Sequence, residues 1–434
     1  MYYELLRAKI ADGSAVCGVV GLGYVGLPLA VEMGNVDLKV IGLDVSKRVV
    51  NDLNAGKSHI KDISSADVAR LRKSGRFEAT TDMSRLAECD VISICVPTPL
   101  SKTKDPEMSY VIAATESVAA SLRPGQLIVL ESTTYPGTTR ELMIPLLQAR
   151  GLEVGSDIFL CFSPERVDPG NQQFNTRNIP KIVGGVGPAS TEAAAALYGA
   201  TVEHVVPVSS PRVAEMVKLL ENTFRAVNIG LVNEVALMCH TMDIDVWEVI
   251  DAAKTKPFGF MPFYPGPGLG GHCIPIDPYY LSWKARQTGF ECRFIELAGQ
   301  INSSMPHFVV DRVAEALNSQ RKSINGSRVH VIGVAYKRDV NDMRESPALD
   351  VMEALSKRGA RLSYSDPYVP ELMHGGERLR SIDLLDAVKA RPDCAVICTD
   401  HRAFDYAPLV GSGTLVVDTR NALKDRQGPT IFRL

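Results

Sequence analysis

Three groups of residues in this chain have the types and spacing to do chemistry. The first is Gly21-Leu-Gly23-Tyr-Val-Gly26. Between a strand and a helix, Gly21 permits the tight turn, Gly23 admits a pyrophosphate to the backbone and Gly26 lets helix and strand pack closely. The helix start then offers unpaired N–H groups and partial positive charge to phosphates. Asp44 follows Gly26 by eighteen residues, where a carboxylate accepts from ribose hydroxyls and repels a 2′-phosphate. The pattern predicts a dinucleotide site for NAD rather than NADP, although Lys47 and Arg48 beyond the acid work against that preference.

The second group is Pro265–Gly271 followed by His272, Cys273 and Asp277. No helix or strand can run through so many glycines and prolines, so the spacing predicts a shaped loop that a ligand can approach closely. A thiol there could be a nucleophile or a structural cysteine, and the spacing alone does not choose. Asp277 would share its face if a helical turn began there. His272 could serve the thiol as a base or bind a metal, but no Cys or His stands at metal spacing nearby and no metal is expected. The third group is "GVAYKRDVNDMRESP", with Lys337, Arg338 and Arg344 ahead of a helix start. A basic loop in that place suits the phosphates of a nucleotide diphosphate, or is simply a solvated loop.

The elements that must position these groups alternate. Apolar β-branched runs predict strands at Val16–Val20, Lys39–Leu43, Val91–Val96, Leu127–Glu131 and Ile158–Phe162, with helices between them such as Leu27–Met33 and Tyr110–Ser121. Strand–helix alternation predicts a parallel sheet covered on both faces. Arg212–Met242 then runs without a proline, with Val213, Met216, Val217, Leu220, Phe224, Val227 and Leu231 at helical spacing, and predicts one long helix. Shorter helices are expected at Val246–Lys254 and Pro278–Arg286, and alternation resumes with Arg328–Val334, Arg361–Ser365, Ala395–Thr399 and Thr414–Asp418. The two ends match in order: a strand, loop, helix and strand ending in Asp44 or Asp366, then "VISICVPTP" with "AVICTDH", then "LIVLESTTYPGTTR" with "TLVVDTRN". The α/β fold expected is two Rossmann-like doubly wound domains, residues 1–207 and 311–434, joined by a long central helix and helical segment over 208–310.

Length and composition agree with a multidomain globular protein of 434 residues, 45% apolar and 22% charged. A net charge of −3 gives no general attraction to nucleic acid or anionic membrane. Met1–Asp12 lacks the pattern of a secretory signal, and no apolar stretch is long enough to span a bilayer. The odd count of nine cysteines, with Cys17, Cys95, Cys161 and Cys398 in or beside β-type runs, suits a reduced, cytoplasmic protein.

With these residues assembled, the chain resembles the UDP-glucose/GDP-mannose dehydrogenase family over nearly its whole length. The landmarks in order are "GLGYVGLP", "VPTPL", "ESTTYPGTT", "SPERVDPGN", "EMVKLLENTFRAVNIGLVNE", "GPGLGGHCIPIDPYYL" and "GVAYKRDVNDMRESP". "GGHCIPIDP" with "SPERVDPGN" is most similar to the branch acting on UDP-N-acetylhexosamines, particularly UDP-N-acetylglucosamine. The resemblance implies a four-electron oxidation at C6 with two NAD per sugar, for surface polysaccharide precursors, through a thiohemiacetal and a thioester on Cys273. It gives Lys218 and Asn222 the developing oxyanion, Asp277 general-base work with Thr133 through an ordered water, and Glu165 the guidance of hydrolysis. It carries cofactor contacts to Gly21, Gly23, Tyr24, Val25, Gly26, Asp44, Arg48, Thr98 and Thr133, and substrate contacts to Glu165, Arg166, Lys218, Asn222, Lys337 and Arg344. A homodimer or higher homo-oligomer is implied as well.

Two positions depart from the UDP-glucose pattern. Ile276 stands where those enzymes commonly have Lys, and Pro257 where they commonly have an Arg reaching the neighbouring subunit, leaving Lys254 or Lys256 as substitutes. Both changes fit a pocket reshaped for a 2-acetamido group without fixing the epimer. The same chemistry on UDP-N-acetylmannosamine, UDP-N-acetylgalactosamine or UDP-glucose, a single-hydride dehydrogenase that needs no cysteine, and a non-catalytic binder are the alternatives.

Overall fold

The computed structural model describes residues 2–60, 63–101, 105–167, 173–271, 274–426 and 428–434. The chain divides into two compact units: Met1–Glu221 with Trp283–Gly289, and Asn222–Ser282 with Phe290–Leu434. In chain order the first contains α1 (Tyr2–Ala11), β1 (Val16–Val20), α2 (Gly26–Asn35), β2 (Lys39–Leu43), α3 (Lys47–Asn54), α4 (Ser65–Lys73), β3 (Phe77–Thr80), β4 (Val91–Ile94), α5 (Ser109–Ala120), β5 (Leu127–Leu130), α6 (Ile144–Gln148), β6 (Phe159–Phe162), β7 (Lys181–Gly185), α7 (Pro188–Thr201) and β8 (Val205–Val208). Its sheet has the order β3-β2-β1-β4-β5-β6-β7-β8. The order reverses between β1 and β4, which leaves a crevice beyond their C-terminal ends. One apolar cluster packs α2, α4 and α7 on the sheet and another packs α5 and α6, so β1, β4, β5 and β6 are almost wholly buried. That two-sided burial is why these strands read as continuous apolar runs rather than alternating ones.

The expected all-parallel sheet is corrected at one place. β7 lies antiparallel to β6, pairing Cys161 with Gly185, while β7 and β8 are parallel. Among the described residues no helix separates β6 from β7. A parallel return needs a crossover of that kind, whereas an antiparallel one does not.

α8 (Pro211–Thr241) begins in the first unit and continues into the second. α9 (Val246–Ala253), α10 (Asp277–Gln287) and α11 (Arg293–Ser319) follow. The second unit then alternates through β9 (Arg328–Ile332), α12 (Pro347–Lys357), β10 (Arg361–Ser365), the hairpin β11 (Glu371–His374) and β12 (Glu377–Arg380), α13 (Leu384–Lys389), β13 (Cys394–Ile397), α14 (Ala407–Gly411), β14 (Leu415–Asp418) and β15 (Ile431–Arg433). Its parallel sheet has the order β10-β9-β13-β14-β15. The run β2-β1-β4-β5 therefore has its counterpart in β10-β9-β13-β14, the four strands of the three stretches matched in the sequence. β3, β7, β8, β15 and the hairpin lie outside the expected strands; β8 and the hairpin are largely exposed, whereas β7 is buried throughout.

Candidate active site

The glycine loop joins β1 to α2 as its spacing predicts. Gly21 has φ +89°, and a Cβ there would stand 2.7 Å from the Cys95 carbonyl oxygen after β4. A Cβ on Gly26 would stand 1.8 Å from the Gly21 carbonyl oxygen, so loop and helix could not close around a larger residue. At Gly23 a Cβ would meet nothing within 4 Å, which leaves the open side where a ligand can approach the backbone. Val25 holds the N-cap position of α2 without a side-chain cap, and Leu27 N in the first turn donates to the Gly23 carbonyl at 3.1 Å. Asp44 ends β2, half-buried, accepting from Leu22 N at 2.9 Å and Ser46 N at 2.8 Å. Tyr24 is 44% exposed beside the loop, Arg48 is exposed in the first turn of α3, and Thr98 is buried after β4.

Farther along the same sheet lies a buried charge cluster. Lys181, at the start of β7, reaches Glu131 Oε2 at 2.5 Å and Glu165 Oε2 at 3.4 Å. The Tyr198 hydroxyl from α7 donates to the other oxygen of Glu131. Burial alone would lower the Lys181 ammonium, but the two carboxylates hold it above the ordinary lysine value. Burial raises the Glu131 carboxyl in spite of Lys181. Glu165 goes the other way: burial is overcome by Lys181, the Val167 N–H, Lys218 and the Arg166 N–H, and its carboxyl is held below the usual range. Both N–H groups donate to Glu165 Oε1 at 2.7 Å. Thr133 is half-buried two residues beyond Glu131. Its loop is tied to α8 by Glu215, which accepts from Gly137 N at 2.5 Å and from Thr139 N at 2.9 Å. Arg166, expected to meet substrate, pairs with Glu221 at 2.6 Å and donates to Pro180 O at 2.6 Å.

Lys218 is buried on α8, with Asn222 one turn on. The Asn222 amide donates to Asp277, which is buried in the first turn of α10. The helical turn needed to orient Asp277 therefore begins at that residue. His272 and Cys273 lie outside the described residues, but the loop before them is shaped as expected. Gly266 N donates to Asn233 at 3.0 Å, Asn233 donates to Asn302 at 2.8 Å, and Asn302 donates to the Ala226 carbonyl at 3.1 Å. Gly271 N donates to the Arg344 carbonyl at 3.0 Å. A Cβ on Gly271 would stand 2.7 Å from the Tyr336 ring. The glycines thus let this loop lie directly on the basic loop between β9 and α12.

In that basic loop Arg344 makes a forked pair with Asp342, closest at 2.6 Å, and Arg338 pairs with Asp400. Lys337, immediately before Arg338, is half-buried. Of the two lysines named as substitutes for the Arg absent at Pro257, Lys254 is paired with Asp251 at 2.5 Å and Lys256 is exposed.

Residues 15–202 match the NAD binding domain of the UDP-glucose/GDP-mannose dehydrogenase family, residues 212–304 its central domain and residues 330–425 its UDP binding domain. The chain belongs to the UDP-glucose/GDP-mannose dehydrogenase family. It is an NAD-dependent nucleotide-sugar dehydrogenase. A UDP-N-acetyl-D-glucosamine 6-dehydrogenase of Pseudomonas aeruginosa is 36% identical over 81% of this chain and 82% of its own length. The solved UDP-D-ManNAc dehydrogenase of Pyrococcus horikoshii superposes with a TM-score of 0.88 at 34% identity, covering 96% of this chain and 98% of that one. The NDP-N-acetyl-D-galactosaminuronic acid dehydrogenase of Methanosarcina mazei Go1 superposes at 0.83 with 31% identity, over 100% and 97%.

The dehydrogenase has a cradle that fits its cofactor, with open space at Gly23, an uncapped helix start and an acid at the end of β2. No helix of the described residues is long and apolar enough to cross a membrane. Glu131, Lys181 and Tyr198 escaped the sequence reading. The glutamate's place inside an apolar strand end, "LIVLE", was the one local sign of a buried partner.

Proposed function

We propose that this dehydrogenase oxidises the C6 hydroxyl of a UDP-N-acetylhexosamine, UDP-N-acetyl-D-glucosamine first among them, to the uronate, through Cys273 and with two NAD per sugar. The observation that carries this is the Asn222–Asp277 hydrogen bond. It orients an acid four residues after Cys273 from a helix that carries Lys218 one turn earlier. NAD, when bound, supplies the two-electron acceptor, and Gly21, Gly23, Tyr24, Val25, Gly26, Asp44, Arg48 and Thr98 would hold it.

In this reading the Cys273 sulfur bonds to the C6 aldehyde carbon, and the thiol proton passes to the aldehyde oxygen. Oxidation of that thiohemiacetal leaves a thioester. Water adds to the thioester carbon, the carbon–sulfur bond breaks, the thiol regains a proton, and the product leaves as carboxylate. Thiolate is both a good nucleophile toward carbonyls and a good leaving group, which is why a cysteine suits both ends of the sequence. Lys218 balances the oxygen charge that develops at C6, Asp277 with Thr133 moves the proton through water, and Glu165, held ionised by Lys181, guides the hydrolytic water. Six other thiols suit a structural role: burial pushes Cys89, Cys394 and Cys398 up to about 12 and raises Cys17, Cys95 and Cys161 well above the ordinary thiol value.

Lys337 and Arg344 would meet the nucleotide or hold the loop that does. The product class serves surface polysaccharide synthesis, and free thiols at all eight described cysteines suit a cytoplasmic site of action. The exposed Leu220, Phe224, Leu231 and Met238 along α8 support a homodimer. The Pyrococcus horikoshii structure supports UDP-N-acetylmannosamine as the second candidate substrate.

The test is an NADH assay across UDP-N-acetylglucosamine, its manno and galacto epimers, UDP-glucose and GDP-mannose. Two NADH per sugar are expected, with loss of turnover in Cys273→Ala. One NADH per sugar with an active Cys273→Ala enzyme overturns the mechanism. Turnover of UDP-glucose alone overturns the N-acetylhexosamine assignment.

A further inference from the structure

His401 lies within the second unit and has no part in the chemistry described above. Its side chain is fully buried, flanked by Tyr368 at 5.1 Å and Phe404 at 5.7 Å between ring centres. Nε2 meets Asp366 Oδ2 at 3.0 Å. The same carboxylate oxygen accepts from Val334 N at 2.7 Å and Ala335 N at 3.1 Å, at the start of the basic loop. Nδ1 accepts from Asp339 N at 2.9 Å, at the far side of Lys337. Facing a carboxylate on one side and an N–H on the other, the ring must carry its proton on Nε2 and keep a lone pair on Nδ1.

The contact is reinforced on both sides. Asp339 Oδ1 accepts from Arg402 N at 3.0 Å, Asp339 Oδ2 lies 3.4 Å from Arg402 Nε, and Arg338 pairs with Asp400. Asp339 has φ +63°, a left-handed conformation that is uncommon for a non-glycine residue and best tolerated by Asp and Asn. Asp366 and His401 therefore pin the two ends of Val334–Asp339, with Lys337 between them.

We propose that His401 is a positioning residue for nucleotide binding: oriented by Asp366, it fixes the turn that presents Lys337 to the diphosphate of the UDP-sugar. This rests on the reading that the β9–α12 loop meets the nucleotide. A buried histidine that only completed the core would influence stability and leave affinity alone. A ring that fixes one binding side chain changes affinity whenever its Nδ1 contact is lost.

Two substitutions separate its two nitrogens. His401→Asn keeps an acceptor where Nδ1 stands and gives up Asp366; His401→Gln can still donate to Asp366 but leaves Asp339 N unpaired. UDP affinity is measured by calorimetry on the full-length protein, alongside steady-state kinetics and urea unfolding. UDP dissociation and the KM for UDP-sugar are expected to rise about tenfold in His401→Gln, with kcat and the KM for NAD held. His401→Asn is expected to bind UDP within about twofold of the parent while losing more stability. Equal weakening in both variants, or weakening in step with stability, overturns the proposal. Lys337→Ala locates any failure. If it weakens UDP while His401→Gln does not, the positioning role falls and the loop's contact with the nucleotide stands. If neither variant affects UDP, both fall.

Discussion

The segments β1–α2–β2 and β9–α12–β10 are one device used twice, and their differences explain two ligands. Gly21 and Gly333 both leave their strands with positive φ, +89° and +77°, and a Cβ on either would strike a carbonyl of the next strand's end, Cys95 O at 2.7 Å or Thr399 O at 2.1 Å. Gly21 N bonds Leu43 O and Gly333 N bonds Ser365 O in the same manner. The acids that end β2 and β10 are equivalent too, but only one of them is available. Asp44 is half-buried with two backbone donors, whereas Asp366 is buried under four backbone N–H groups and His401. From Gly21 the helix starts within five residues, and from Gly333 it starts only at Pro347. A short glycine loop and an accessible acid suit pyrophosphate and ribose, while a long basic loop braced by a buried acid suits a diphosphate met by side chains. The equivalence lies in the backbone; the ligand choice lies in exposure.

The largest expected break of this comparison is at its glycines. Gly26→Ala places a methyl 1.8 Å from the Gly21 carbonyl oxygen and should cost about 100-fold in NAD-dependent turnover, with UDP affinity retained. Gly333→Ala should do the reverse, weakening UDP and costing roughly 1–3 kcal/mol of backbone strain in urea unfolding. Loss of both ligands in both variants would show that the two devices do not act separately.

The paired acids come next. Asp366→Asn leaves buried donors short of an acceptor and should cost roughly 2–3 kcal/mol of stability, with the KM for NAD unmoved. Asp44→Asn should leave stability nearly intact and raise the KM for NAD about tenfold, the worth of about 1.4 kcal/mol. Equal stability losses in the two variants would erase the distinction drawn from burial.

The smallest effect is in acid. His330 on β9 is buried between Ser363 and Ser365, and burial depresses it from 6.5 to about 4. The unfolded chain takes up this proton first, so its contribution is intact above pH 6.5 and is lost as pH falls toward about 4. Between pH 7 and 5 the second unit should lose about 1–2 kcal/mol through this group, and His330→Gln should flatten that slope. A mutant with the parent's slope would remove His330 from the account.

The sequence by itself determined the two α/β units, the glycine cradle with Asp44, the helix of Lys218 and Asn222, and the turn that begins at Asp277, because each is a short-range pattern. Glycine spacing, apolar periodicity and the place where a helix can start depend on neighbours a few residues away. The long helix came out within one residue at either end, Arg212–Met242 against Pro211–Thr241. Only the tertiary structure decided which charges face one another. Lys181 reaches Glu131 across fifty residues, and Tyr198 reaches it across sixty-seven. His401 reaches Asp366 across thirty-five, and the antiparallel β7 sets Lys181 beside Glu165. Beyond the glutamate closing the apolar run "LIVLE", no local signal marks such partners, since burying a charge is tolerable only once a distant chain segment supplies its counter-charge. The same fact separates Asp44 from Asp366: both end a strand before a turn, and only the fold buries one and leaves the other within reach of a ligand.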